Sequence, residues 1–240
     1  MKLSSQPMID CHVHVFDPDR FPYAADAWYQ PVGGETGTVA NLGQVLDAHE
    51  VQHALIVGPN SGYGLDNRCL LDALAQGAGR YKGVAVVRND ASRTELQDLQ
   101  AAGVVGVALN VALLGVDFYR DTGPLLERLR ELGLWAQVQV QADELVALKP
   151  LLQDSGARLL FDHCGRPNPK AGMGQAGFAA LLEAYTPQAL VWASDWPFLR
   201  APARIDYGPL LALFEQLLPD ADARQAVLWD TPRRLFGFGA

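Results

Sequence analysis

Short apolar runs alternate along the chain with longer stretches of helical period. The first run, 8–17, is Met8-Ile9-Asp10-Cys11-His12-Val13-His14-Val15-Phe16-Asp17. It reads as a buried strand whose end carries two histidines two residues apart. Side chains alternate across a strand, so His12 and His14 are expected on one face. Further apolar runs predict strands at 52–58, 81–87, 104–111, 134–140, 158–163 and 189–194. Segments with helical spacing fall between them, at 39–49, 66–76, 92–102, 123–132, 142–155 and 177–185, with two more at 207–217 and 220–236. Strands alternating with helices of this length predict βα units and a parallel sheet. No linker divides the chain and the units share no sequence repeat, so one domain over 1–240 is expected.

A closed parallel barrel of eight strands needs one more strand than these seven, and 164–188 contains no apolar run to supply it. The predicted class is α/β, a distorted (β/α)8 barrel apparently lacking strand 7. Either the barrel is seven-stranded or a segment is missing from the sequence. Segment 17–38, rich in Pro, Gly and aromatics, is too long for a simple connection and is expected to cover the barrel mouth. Polar groups at the start of the 66–76 helix, Asp66 and Asn67, read equally as helix capping or as part of a site.

Bulk properties narrow the function classes. The chain has 240 residues, 49% hydrophobic and 19% charged, with a formal net charge of −8. An acidic surface argues against nucleic acid and anionic membranes as partners. It does not argue against an anionic small molecule, because a local arginine overrides the net field. Three cysteines without paired spacing indicate neither a disulfide framework nor a zinc ribbon. With no leader-like apolar region and no run of transmembrane length, a cytoplasmic location is expected. The expected partners are a small-molecule substrate and, at most, a second copy of the chain in a homodimer.

Candidate chemistry collects at strand ends. His12 and His14 follow the first strand, Asn110 the fourth, His163 the sixth and Asp195 the last. Parallel strands all end on one side, so these groups should share one mouth. Two or three imidazoles and a carboxylate can hold Zn²⁺ or Mn²⁺ with a position left for water. The same groups can work without metal, the carboxylate taking a proton from water while a protonated histidine binds the developing oxyanion. Either route is hydrolysis. Asp162-His163 also reads as a polar turn held by its own hydrogen bond, and no role is assigned to His49 or His53.

Five segments in this order carry a family resemblance: Asp10-Cys11-His12-Val13-His14-Val15-Phe16, Gly64-Leu65-Asp66-Asn67-Arg68, Phe161-Asp162-His163-Cys164-Gly165-Arg166-Pro167, Trp192-Ala193-Ser194-Asp195-Trp196-Pro197 and Thr231-Pro232-Arg233-Arg234-Leu235-Phe236-Gly237-Phe238. With them the chain resembles the amidohydrolase superfamily, in the branch of 2-pyrone-4,6-dicarboxylate hydrolase and related lactonases. The resemblance implies that His12, His14 and His163 polarise an ester carbonyl while Asp195 activates water. Tyr63, Asn67, Arg68, Asn110, Gln139 and Arg166 are the expected substrate contacts.

Three departures bear on that expectation. Where metal-dependent members bring a histidine from strand 5, this chain has Gln137-Val138-Gln139, and amide oxygens are poor zinc ligands. No cofactor is therefore expected; if one divalent metal (zinc or manganese) binds, His12, His14, His163 and Asp195 hold it. Strand 4 lacks the family's carboxylate-binding arginines, which suggests a less anionic lactone. The block of strand 7 is absent. The leading expectation is a metal-independent lactonase opening a pyrone or sugar lactone. The alternatives are a metal-dependent decarboxylase or other lyase of the same superfamily, and a non-catalytic small-molecule-binding barrel.

Overall fold

The computed structural model describes residues 6–166 and 183–239. Six parallel strands lie side by side in sequence order: β1 (Met8–Val13), β2 (Val51–Val57), β3 (Tyr81–Ala85), β4 (Val104–Asn110), β5 (Trp135–Gln139) and β6 (Arg158–Phe161). The connecting helices include α1 (Val39–Ala48), α2 (Arg68–Gly77) and α3 (Arg93–Ala101). Two short helical turns, α4 (Val111–Leu114) and α5 (Val116–Tyr119), follow β4, and α6 (Gly123–Leu132) and α7 (Glu144–Ser155) flank β5. This is a parallel α/β fold with a curled six-stranded sheet, in keeping with a distorted barrel.

Each helix turns a narrow apolar stripe to the sheet. In α6 the stripe is Leu125, Leu126 and Leu129, all buried, with Arg128 and Arg130 on other faces. Burying such side chains contributes about 1.5–3 kcal/mol each. Helix α1 starts at a reciprocal cap in which Thr38 and Asn41 bond each other's side chains and backbone. Of the two readings of Asn67, the cap is not formed: its amide bridges to the Val86 backbone just after β3, at 2.8 and 3.0 Å.

The predicted strand 189–194 differs in form. Pro187–Ala189 is a 3-10 turn, and the residues after it lie extended along the free edge of β1. Cys11 N–H donates to Trp192 O at 3.0 Å, Asp195 N–H to His12 O at 2.9 Å and His14 N–H to Trp196 O at 2.8 Å. The segment is thus a short parallel partner of β1, occupying the place of a last barrel strand. The predicted helix 177–185 is helical at 183–185, and the remainder lies outside the described residues. Helix α8 (Tyr207–Leu217) is as expected, whereas 220–236 is not one regular helix. It runs as α9 (Ala221–Gln225), a π-turn (Ala226–Asp230) and α10 (Thr231–Phe236).

Strict alternation along β1 is broken at a decisive place. Ile9 and Cys11 pack inside the sheet with Leu55, Val57 and the C-terminal Phe236 and Phe238. Met8, Val13 and Val15 pack instead with Leu42 and Leu46 of α1. The register with β2 shifts between Asp10 and Val13, where three steps of β1 match two of β2. That bulge resets the phase, so His12 follows Cys11 to the inner side and His14 joins it.

Segment 17–38 folds over the mouth and docks on the turn after β2, with Ala24 N–H bonded to Gly62 O and Gly62 N–H to Tyr29 O, both at 2.8 Å. Gly37 lets this segment pass directly beneath Trp196, because a Cβ there would lie 2.1 Å from the indole ring. Gly37→Ala should cost about 1–3 kcal/mol through overpacking. Chemical denaturation checks this, together with a change in Trp196 fluorescence.

Candidate active site

The strand ends open into a cavity of about 480 Å³ lined by His12, His14, Asn110, Gln139, His163, Arg166 and Asp195. Seven of the residues singled out in the sequence therefore meet at one mouth. Three do not line it. Tyr63 is buried beside Phe16 and Tyr23, its hydroxyl accepting the Asp17 N–H at 2.9 Å. Asn67 is engaged with Val86 as above, and Arg68 pairs with Asp66 at 2.6 Å on the surface. These three serve the scaffold of the β2–α2 connection.

Each histidine is set by a different device. His14 Nδ1 lies 2.8 Å from Val57 O, so it carries a proton and leaves Nε2 facing the cavity. His12 sits between two carboxylates. Its Nδ1 is 3.4 Å from Asp162 Oδ1, and its Nε2 is 3.7 Å from Asp195 Oδ1 and 3.3 Å from His14 Nε2. Burial alone would push the His12 pKa down, but Asp162, with Asp195 and Asp10, outweighs it and raises the value to about 9. His163 follows β6, as expected, within a 3-10 turn (Asp162–Gly165) that ends the strand two residues before the predicted 163. Its ring centroid lies 5.3 Å from that of His12. Burial, reinforced by the neighbouring His12 cation, lowers its pKa and keeps it neutral.

Asp195 stands at the end of the segment paired with β1, with a left-handed φ of 62°. Such a conformation is uncommon outside glycine and turns the carboxylate back toward the histidines. Its Oδ1 is 3.4 Å from His14 Nε2. Burial opposes its charge, yet His14, His12 and His163 together hold the carboxyl well below the usual range. The side chain stays 46% exposed, so the field of the histidines acts on a carboxylate that water can still reach.

Several contributors were not singled out in the sequence. Asp162 sets the charge of His12, and its adjacency to His163 was the only signal. Gln137 is buried, its Nε2 3.4 Å from His12 Nδ1, and its Oε1 has no hydrogen-bond partner among the described residues. Asn60 takes the Asn110 amide at 3.2 Å, while Asn110 Oδ1 caps the turn after β4. Arg200 and Trp28 also line the cavity. Asp10 lies outside it, fully buried, and holds the Asp195 segment: its Oδ1 accepts the Ser194 N–H at 3.0 Å and its Oδ2 the Tyr207 hydroxyl at 2.7 Å.

His12, His14 and Asp195 offer three ligand atoms within 4.8 Å of one another, as do His12, Asp162 and His163. Two imidazoles and a carboxylate, with the His14 ring oriented by a backbone carbonyl, are a fitting donor set for a divalent cation.

The chain was compared with known proteins. The amidohydrolase family model matches residues 9–184 and 174–238. The 2-pyrone-4,6-dicarboxylate hydrolase of Comamonas testosteroni is 27% identical over 277 residues, covering 95% of this chain and 89% of that protein. The 4-sulfomuconolactone hydrolase of Rhizobium radiobacter is 29% identical with the same coverage. A Pseudomonas putida structure assigned as a 2-pyrone-4,6-dicarboxylic acid hydrolase superposes with a TM-score of 0.84 at 30% identity, covering 99% of this chain and all of that one. An amidohydrolase from Burkholderia multivorans solved with zinc has a TM-score of 0.78 at 17% identity and shares the fold. The chain belongs to the amidohydrolase family.

Proposed function

We propose that the chain hydrolyses a cyclic ester, with Asp195 as the base and His12, flanked by His14 and His163, as the group that polarises the carbonyl. The observation that carries this reading is the triangle of His12, His14 and Asp195 at one end of a cavity large enough for a small lactone. Its relatives named above are hydrolases acting on lactones, which supports the same class.

The steps follow from the charges. Asp195 takes a proton from water as the water oxygen attacks the carbonyl carbon. The Nε2–H of the His12 imidazolium receives the developing oxyanion, with the His14 ring beside it, Nε2 to Nε2, at 3.3 Å. As the intermediate collapses, the ring C–O bond breaks and the proton on Asp195 passes to the leaving oxygen, giving an open-chain hydroxy acid. A carboxylate held far below its usual range is a weak base at rest. As the oxyanion engages the His12 charge, the hold of that charge on Asp195 weakens, and its basicity rises when the proton must move.

His12, His14 and Asp195 would be the residues to hold a divalent cation, which when bound supplies Lewis acidity to the carbonyl. The charge on His12 up to about pH 9 makes that ring a donor at neutral pH, which supports the metal-independent route. So does an amide, Gln137, on β5. The reading that the barrel lacks its seventh strand is supported by the family match, which falls in two segments meeting at 174–184.

Hydrolysis of a panel of pyrones and sugar lactones, before and after chelator treatment, tests the proposal. Turnover that survives the chelator is expected. Turnover lost with the chelator and restored by zinc or manganese would overturn the metal-independent route, and no turnover of any lactone would overturn the class. The pH profile provides a second check. kcat/KM should fall as pH rises through about 9, where His12 loses its proton, with no acid limb in the ordinary carboxylate range from Asp195. Stability follows the same sign. The raised histidine contributes fully below its unfolded value near 6.5, and that contribution is lost as pH rises through about 9.

A further inference from the structure

Two arginines line the cavity, Arg166 after β6 and Arg200, and the second comes from a place that strand patterning does not reveal. Several surface arginines pair with carboxylates, as Arg20 does with Asp72 and Arg204 with Asp206. The guanidinium of Arg200, which lines the cavity, makes no ion pair or hydrogen bond among the described residues. It lies over two aromatic rings instead, its Cζ 5.4 Å from the centroid of Trp28 and 5.6 Å from that of Tyr29. Those rings are 5.8 Å apart and form a shelf. Trp28 is 51% exposed although it sits in the segment folded over the mouth.

The shelf and the cation belong to different loops, joined through one carboxylate. Glu35 accepts the Arg200 backbone N–H at 2.6 Å and the Tyr29 hydroxyl. Its carboxylate is thereby used to fix the loop and not to neutralise the guanidinium. A guanidinium resting on aromatic faces keeps its planar fork of donors free and loses little further freedom when it binds an anion. The wall of the same cavity carries the carboxylates of Asp162 and Asp195 with their histidines. A negative group on the ligand is therefore favoured beside Arg200 and disfavoured beside those carboxylates.

We propose that Arg200, on its Trp28–Tyr29 shelf, is an anion subsite that selects substrates carrying a carboxylate or sulfonate remote from the ester to be cleaved. This rests on the lactone-hydrolase reading for the ester end alone, and it replaces the less anionic lactone expected from strand 4. The anion docks at the mouth and directs the uncharged ester ring inward to His12, His14 and Asp195.

The test separates binding from turnover. Glutarate and its neutral counterpart glutaramide are titrated calorimetrically into the wild-type protein and Arg200→Gln, with Trp28 fluorescence as a local reporter and the melting temperature as a check of folding. The wild type is expected to bind glutarate in preference to glutaramide, with fluorescence change and salt-sensitive affinity. Arg200→Gln should lower that preference at least tenfold at an unchanged melting temperature. Equal preference in the two proteins, no glutarate binding to the wild type, or loss of preference in Arg166→Gln but not in Arg200→Gln would each overturn the assignment. Preference lost in Arg200→Gln while the wild type opens no lactone would leave the anion subsite standing and sink the hydrolase reading. Lactone turnover with equal preference would do the reverse.

Discussion

Asp195→Asn should lower kcat for lactone hydrolysis by roughly 10²–10⁴ while KM and the melting temperature stay close to wild type. The amide is nearly isosteric and keeps the backbone bond from Asp195 N–H to His12 O, so the extended partner of β1 is undisturbed. What it loses is the ability to take a proton from water. A second readout separates this from simple misplacement of the loop. Asp195 is one of the carboxylates that raise the His12 pKa, so the His12 ring should titrate below its wild-type value of about 9 in the variant. NMR of the imidazole resonances measures that shift. Activity within about tenfold of wild type, with the His12 shift present, would remove Asp195 as the base.

Asp10→Ala is expected to have the largest effect on stability, about 2–4 kcal/mol, or roughly 5–15 °C in melting temperature for a chain of this size. The side chain is fully buried and its two oxygens satisfy the Ser194 N–H and the Tyr207 hydroxyl. Truncation leaves both donors without a partner inside the protein. Burial raises the Asp10 pKa against the pull of these bonds, so part of the loss is offset by removing a charge that was costly to bury. Asp10→Asn keeps an acceptor for Ser194 and should lose less than half as much. Because Ser194 precedes Asp195, the alanine variant should also turn over more slowly at temperatures where it remains folded. Denaturant titration and kcat measured on the same preparations would show both effects. A melting temperature within a degree of wild type would mean that the network does not anchor the segment.

The positions of the β-strands were legible because they are short apolar runs with polar neighbours, and β2 at Val51–Val57 lies within a residue of its prediction. The shared mouth was legible too, since parallel strands end on one side whatever their side chains do. His12, His14, His163 and Asp195 needed no more than that. The last strand was less so. Its residues pair with β1 through three backbone bonds before the chain turns at Pro197, and an apolar run does not say how long a ladder lasts. Asn67, read evenly as a cap or as a site residue, is neither, because an amide at a helix start can equally bridge to a neighbouring segment, and only the nearness of Val86 decides.

Periodicity would place Asp10 beside His12 and His14, in the cavity. The bulge between Asp10 and Val13 sends it to Tyr207 instead, and one extra residue in a strand leaves no mark on composition. The charge state of His12 was likewise out of reach, because it depends on Asp162, 150 positions away, and on burial. Arg200 is the clearest case. In the chain it is one arginine among many surface cations, and it becomes a cavity residue only where two loops meet over Trp28 and Tyr29.

The sequence by itself determined the order of strands and helices, the shared face of the histidine pair and the position of the final aspartate, because these follow from local period and from the direction of parallel strands; the class of chemistry was legible through the family resemblance. Tertiary structure alone decided which charges face each other, which side of β1 each residue takes and that Arg200 reaches the cavity beside Arg166. Those depend on through-space fields and close approaches between segments far apart in the chain, and neither is written in local pattern.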